Sequence, residues 1–173
     1  MAEALDPAIP DDIEHLAQEV LQAACDRELR LATAESCTGG LLASLLTDIP
    51  GKSHAFERGF VTYSDDAKHE LLGVSRLILQ GEGAVSEAAA RAMAEGAIAA
   101  SRADLAVSIT GFAEAAPDGP AGLVHFACAR REGPTCHRME RFGDVGRAEV
   151  RLAALRVGLG LFRDGLAALA RAA

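Results

Sequence analysis

Short apolar runs alternate along this chain with longer segments whose apolar residues recur every three to four positions, and this alternation restricts the possible folds most. Strand-length runs separated by helical segments are typical of α/β proteins, in which helices cover both faces of a mostly parallel sheet. No helical segment separates the last two runs, so we expect them to pair as a hairpin that makes the sheet mixed. The expected strands are residues 31–34, 56–63, 104–110, 122–129 and 136–142.

Helical periodicity and capping residues mark the other elements. From Pro10, apolar residues follow helical spacing as far as Ala24, and two aspartates in the first turn suit the helix dipole. Ser64, followed by two aspartates, has the position of an N-cap for a helix that ends at Gly73. Further helices are expected after Gly40, after Ser75, after Ser86 and from Arg147 onward.

Length and charge exclude several classes of protein. The 173 residues, half of them hydrophobic, suit one globular domain, so we expect a flexible arm over residues 1–9 and a single domain over residues 10–173. The formal net charge of −8 argues against nucleic-acid binding. Arg156 and Arg163 interrupt the longest apolar stretch, which argues against a membrane span. The four cysteines do not make a disulfide framework, and the N-terminus has no secretory pattern, so we expect a cytoplasmic protein.

Three polar or glycine-containing segments follow predicted strands, at Ser36, Tyr63 and Gly111. Ligands of α/β sheets bind beyond the carboxyl ends of the strands, so these segments could line one crevice. At Ser36, residues 36–40 (SCTGG) precede a helix, whose free N–H groups could hold a phosphate or an oxyanion. Spacing alone favours a simpler interpretation, in which the segment is only a helix cap and a turn.

A lysine follows the only tyrosine by five positions. Lys68 would lie one turn into the helix after Tyr63, where burial could lower its pKa and make it a base toward a hydroxyl. The residues alone favour a surface lysine paired with Asp65 or Asp66 instead.

Two further segments are candidates for ligand contact. Thr110 and Gly111 end a strand and could touch a phosphate or ribose, or could serve only a turn. Arg147 and Arg151 lie four apart on one helix face and could bind an anion, or could form a solvated face. The cysteines and histidines lack metal-site spacing, so we expect no metal.

Taken together, these segments resemble the CinA C-terminal domain family, which includes stand-alone nicotinamide mononucleotide deamidases. The segments TAESCTGG and VTYSDDAK are specific, and ADLAVSITG and AGLVHFACA continue the match in order over roughly residues 10–165. The resemblance implies a three-layer α/β/α sandwich. It also implies hydrolysis of the carboxamide of nicotinamide mononucleotide to nicotinate mononucleotide and ammonia, without a metal or organic cofactor.

The resemblance also implies roles for residues of this chain. The family's serine nucleophile falls on Ser36, and its tyrosine and lysine partners fall on Tyr63 and Lys68, while its arginine falls on Arg147 or Arg151. The expected partner is a small nucleotide, with neither nucleic acid nor membrane, in a homo-oligomer. Substrate contacts are expected from Cys37, Thr38, Gly39, Gly40, Thr110, Gly111, Arg147 and Arg151.

One loop departs from the family pattern. Members usually carry a glycine-rich TGIAGPxGG loop, whereas this chain reads TGFAEAAPDGP, with Glu114 where a glycine is expected. A carboxylate there would repel a phosphate, and side chains would block close approach of the backbone. The alternatives are therefore an amidase for another substrate, or a non-catalytic domain that binds a nucleotide or a partner.

Overall fold

The computed structural model describes residues 9–172, so residues 1–8 of the expected N-terminal arm lie outside the described part. Ile9, the remaining residue of that arm, packs against the core. In chain order the elements are α1 (Asp11–Cys25), β1 (Leu31–Glu35), α2 (Leu41–Asp48), β2 (Phe56–Val61), α3 (Asp65–Leu72), α4 (Arg76–Gly81), α5 (Glu87–Ala99), β3 (Leu105–Gly111), β4 (Leu123–Arg130), β5 (Cys136–Arg141) and α6 (Arg147–Ala172).

The five strands form one mixed sheet in the order β2-β1-β3-β4-β5. Strand β1 pairs in parallel with β2 and β3, whereas β4 pairs antiparallel with β3 and β5. Four strands therefore run in one direction and only β4 runs against them. This arrangement confirms the mixed, mostly parallel sheet and the hairpin of the last two strands.

Helices cover both faces of the sheet, as the sequence predicts. On one face, α1, α2 and α6 enclose a core of aliphatic side chains with Phe126 and Phe162. On the other face, an alanine-rich cluster lies under α3, α4 and α5. The three-layer sandwich is confirmed, whereas assembly with a second subunit stays a prediction. Among the described helices, none has both the length and the apolar character that crossing a membrane requires.

Capping residues set the helix boundaries that the sequence predicts. The hydroxyls of Ser64, Ser75 and Ser86 accept hydrogen bonds from the backbone N–H groups of Ala67, Leu77 and Ala89. The helix that carries Lys68 ends at Gly73, which adopts the left-handed conformation (φ +67°) and donates to the carbonyl of His69.

Gly96 allows α5 to pack directly on the backbone of α3. A Cβ at Gly96 would lie 1.9 Å from the carbonyl oxygen of Leu72. We expect Gly96→Ala to lower the free energy of unfolding by about 3 kcal/mol, because the two backbones must separate. Thermal unfolding should show a lower midpoint, by on the order of 10 °C.

Gly160 provides the matched control for this substitution. It lies inside α6, and a Cβ there would meet nothing within 4 Å. Gly160→Ala should leave the unfolding midpoint unchanged or raise the stability by up to about 1 kcal/mol, since alanine favours helix. Equal unfolding midpoints for Gly96→Ala and Gly160→Ala would contradict the close contact between Gly96 and the backbone of Leu72.

Candidate functional site

The carboxyl ends of β1, β2 and β3 meet at one edge of the sheet and place three polar segments together. Glu35 of β1 stands in register with Val61 of β2 and with Ile109 of β3. The residues that follow these positions surround an open cavity of about 320 Å³. Its lining includes Ser36, Cys37, Tyr63, Asp65, Lys68, Thr110, Gly111, Phe112, Glu114 and Arg147.

A buried carboxylate shapes the segment that carries Ser36. Glu35 is fully buried, and its oxygens accept hydrogen bonds from the N–H groups of Leu42 (3.0 Å) and Ala43 (2.8 Å) and from the hydroxyl of Thr38 (2.7 Å). The first N–H groups of α2 are therefore occupied by the protein itself. No motif in the sequence singled out Glu35, although an acid that ends a buried strand must find partners.

Backbone hydrogen bonds hold Ser36 at the floor of the cavity. Its N–H donates to the carbonyl of Ile109 (2.9 Å), and its own carbonyl accepts from the N–H of Gly39 (3.0 Å). Within residues 9–172, the N–H groups of Cys37, Thr38 and Gly40 donate to no other residue. Of these three residues only Cys37 lines the cavity of Ser36, so its N–H, and not the first turn of α2, is the donor available to a ligand beside the serine.

Lys68 lies against the serine hydroxyl and is only 2% exposed. Its Nζ donates to the Oγ of Ser36 (3.1 Å) and to the carbonyl of Thr62 (2.9 Å). Burial lowers the pKa of the lysine, and the nearby Asp65 carboxylate opposes this shift.

The interpretation of Lys68 as a surface lysine is therefore wrong. Among the described residues it forms no ion pair, and Asp66 pairs with Arg76 at 2.8 Å instead. The packing of α3 against α5, which the local sequence does not reveal, accompanies the inward direction of the amine.

Tyr63 lies at the mouth of the same cavity and is 67% exposed. Its hydroxyl faces the guanidinium of Arg147 and, after Glu114, helps to raise the pKa of that arginine. In the described part of the chain it forms no hydrogen bond with Ser36 or Lys68. Assistance of the lysine by this tyrosine stays a prediction.

The two candidate arginines of α6 face different cavities. Arg147 lines the cavity of Ser36, where its Nε and Nη2 donate to the two carboxylate oxygens of Glu114 at 3.2 and 2.8 Å. Arg151 donates from Nε to the carbonyl of Cys37 (2.9 Å) and covers Gly39, where a Cβ would lie 2.7 Å from its Nη2.

A second cavity of about 480 Å³ lies on the side of Arg151. Of the predicted site residues, it is lined by Thr38, Gly39, Gly40 and Arg151, whereas the others line the cavity of Ser36. The structure therefore divides the predicted contacts between two neighbouring cavities.

Thr110 and Gly111 have structural partners as well as a place on the cavity wall. The Thr110 hydroxyl donates to the carbonyl of Ala84 (2.7 Å), and a Cβ at Gly111 would lie 2.7 Å from the carbonyl oxygen of Leu123. Contact of these residues with a ligand stays a prediction. Within the described residues, no three His, Cys, Asp or Glu side chains converge as metal ligands would.

The arrangement at the first cavity suits nucleophilic attack on a carbonyl. A hydroxyl lies within hydrogen-bonding distance of an amine that burial inclines toward its neutral form. A neutral amine can accept the hydroxyl proton, and neighbouring backbone N–H groups can stabilise the negative oxygen that attack creates.

Comparison with known proteins places this chain among related sequences and structures. The model of the CinA C-terminal domain matches residues 13–166. The chain is 48% identical over 136 residues to nicotinamide-nucleotide amidohydrolase PncC of Escherichia coli K12, and the match covers 76% of this chain and 81% of that protein. It is 50% identical over 124 residues to a CinA-like protein of Akkermansia muciniphila, of which it spans only 28%.

Solved structures give the same result for the fold. The chain superposes on a competence/damage inducible protein, CihA, of Agrobacterium tumefaciens with a TM-score of 0.88 and 44% identity. That superposition covers 92% of this chain and 98% of the other.

Proposed function

Because the chain belongs to the CinA C-terminal domain family, we propose that it hydrolyses the carboxamide of nicotinamide mononucleotide to nicotinate mononucleotide and ammonia. The observation that carries this proposal is the 3.1 Å contact between the Ser36 hydroxyl and the buried Lys68 amine. The relative PncC, named for this class of reaction, gives the substrate.

In the proposed reaction, Ser36 is the nucleophile and Lys68 is the general base. The neutral amine takes the hydroxyl proton while Oγ attacks the amide carbon, and the N–H of Cys37, which lines the same cavity, is the available donor for the oxyanion. The protonated lysine then returns the proton to the departing ammonia. Lys68, neutral again, then takes a proton from a water molecule that attacks the acyl-enzyme, and it returns this proton to the departing Oγ of Ser36 as the product acid is released.

Residues at the mouth of the cavity complete the proposal. We assign Tyr63 to assist Lys68 once substrate fills the space between them, and Arg147 to meet the 5′-phosphate. Thr110 and Gly111 also line the cavity, where they would contact the substrate.

The second candidate function is that of a nucleotide-binding domain without catalysis. The ion pair of Arg147 with Glu114 favours this second function, because the glutamate already binds the arginine that would otherwise hold a substrate phosphate at the mouth of the cavity. Ammonia release from nicotinamide mononucleotide separates the two functions. Folded wild-type protein that binds the nucleotide and releases no ammonia would support the second function and reject the first.

The lowered pKa of Lys68 predicts how the activity depends on pH. Only the neutral amine accepts the serine proton, so kcat/KM should rise about tenfold per pH unit while the lysine loses its proton. Because burial lowers this pKa, the plateau should begin below the ordinary lysine value of 10.5. A profile of ammonia release that stays flat over the whole pH range in which the protein remains folded would contradict a titrating base in this reaction.

A further inference from the structure

A two-point ion pair stands at the mouth of the Ser36 cavity. Glu114 belongs to the loop between β3 and β4, and Arg147 is the first residue of α6. Both carboxylate oxygens of Glu114 bind the guanidinium, at 3.2 Å to Nε and 2.8 Å to Nη2. The glutamate thereby occupies two donors of an arginine that lines the cavity.

The charged lining of this cavity has two acidic and two basic side chains. It consists of Asp65, Glu114, Arg147 and Lys68. Arg147 is balanced by Glu114, and burial inclines the Lys68 amine toward the neutral form. The lining therefore contains two carboxylates and one guanidinium, and burial disfavours the positive charge of its second basic group, the Lys68 amine. Such a lining attracts a pyridinium cation and opposes a phosphate dianion.

We propose that Glu114 is a specificity-determining residue that competes with the substrate's 5′-phosphate for Arg147. The chain consequently accepts the unphosphorylated nucleoside, nicotinamide riboside, nearly as well as the nucleotide. This inference rests on the proposed amide hydrolysis. A carboxylate presents two oxygens to a guanidinium in the same geometry as a phosphate, so Glu114 and a phosphate compete for the Nε and Nη2 donors of Arg147. The nucleoside carries the pyridinium and ribose without the phosphate and leaves the ion pair intact.

Glu114→Gln tests the competition, because it keeps the size of the side chain and removes its charge. Steady-state kinetics of ammonia release should show a KM for nicotinamide mononucleotide that is roughly fivefold to tenfold lower, with kcat unchanged. The KM and the kcat for nicotinamide riboside should each change by less than about twofold. A merely structural role for Glu114 would alter both substrates alike.

Glu132→Gln is the matched control. Glu132 is exposed in the turn between β4 and β5, at the opposite end of the sheet, and its substitution removes the same unit of charge. The ratio of the two KM values should remain that of the wild type. An equal shift in this control would assign the effect to net charge and overturn the role of Glu114.

A binding measurement keeps the inference separate from catalysis. In a Ser36→Ala background, calorimetry with nicotinate mononucleotide should show tighter binding by the same factor when Glu114→Gln is added. Unchanged affinity would overturn the competition and leave the hydrolysis standing. Absence of ammonia from both substrates would reject the proposed function, and the binding experiment would still decide whether Glu114 opposes the phosphate.

Discussion

Ser36→Ala is expected to reduce ammonia release from nicotinamide mononucleotide by about 10⁴-fold or more, because removal of a nucleophile eliminates the covalent route. The fold should persist, since the segment is held by backbone hydrogen bonds and by the Glu35 carboxylate and not by the serine hydroxyl. The rate should be followed as nicotinate mononucleotide and ammonia together, so that contaminating ammonia is recognised.

Ser53→Ala supplies the control for this variant. Ser53 is an exposed serine in the turn before β2 and lines neither of the two cavities. It should retain wild-type turnover. Comparable turnover by Ser36→Ala and the wild type would exclude Ser36 as the nucleophile and would direct attention to water as the attacking group.

Lys68→Met is expected to lower kcat by about 10³-fold, since it removes the general base and keeps a flexible apolar side chain of similar length. Stability should change by no more than about 1 kcal/mol, because the variant no longer buries an amine but leaves the Thr62 carbonyl without its donor. Kinetics and thermal unfolding together separate these two effects. The residual activity should also lose the rise with pH.

The chain contains only one other lysine, Lys52, which lies in the turn before β2 and allows a matched substitution. Lys52→Met should have wild-type kinetics. Loss of activity in Lys68→Met accompanied by loss of the folded state would make the effect structural and would leave the base unassigned. Full activity in a folded Lys68→Met protein would exclude the amine as the base.

The elements of this fold could be predicted from the sequence because local interactions determine them. Alternating apolar runs and helical periodicity placed every strand and helix, and the hydroxyls of Ser64, Ser75 and Ser86 begin the helices that follow them. The position of Ser36 at a strand end likewise follows from chain order. The family resemblance then identified the residues of one edge of the sheet.

Burial and pairing at the site were decided only by the tertiary structure. Lys68 meets Ser36 across 32 residues and Arg147 meets Glu114 across 33, so no local pattern reports either contact. The sequence does not distinguish Arg147 from Arg151. In the structure, Arg147 at the start of α6 lines the Ser36 cavity, whereas Arg151, one turn later, covers Gly39 and lines the second cavity. Burial that lowers the pKa of Lys68 arises from the packing of distant segments, and this packing turns an ordinary lysine into a candidate base.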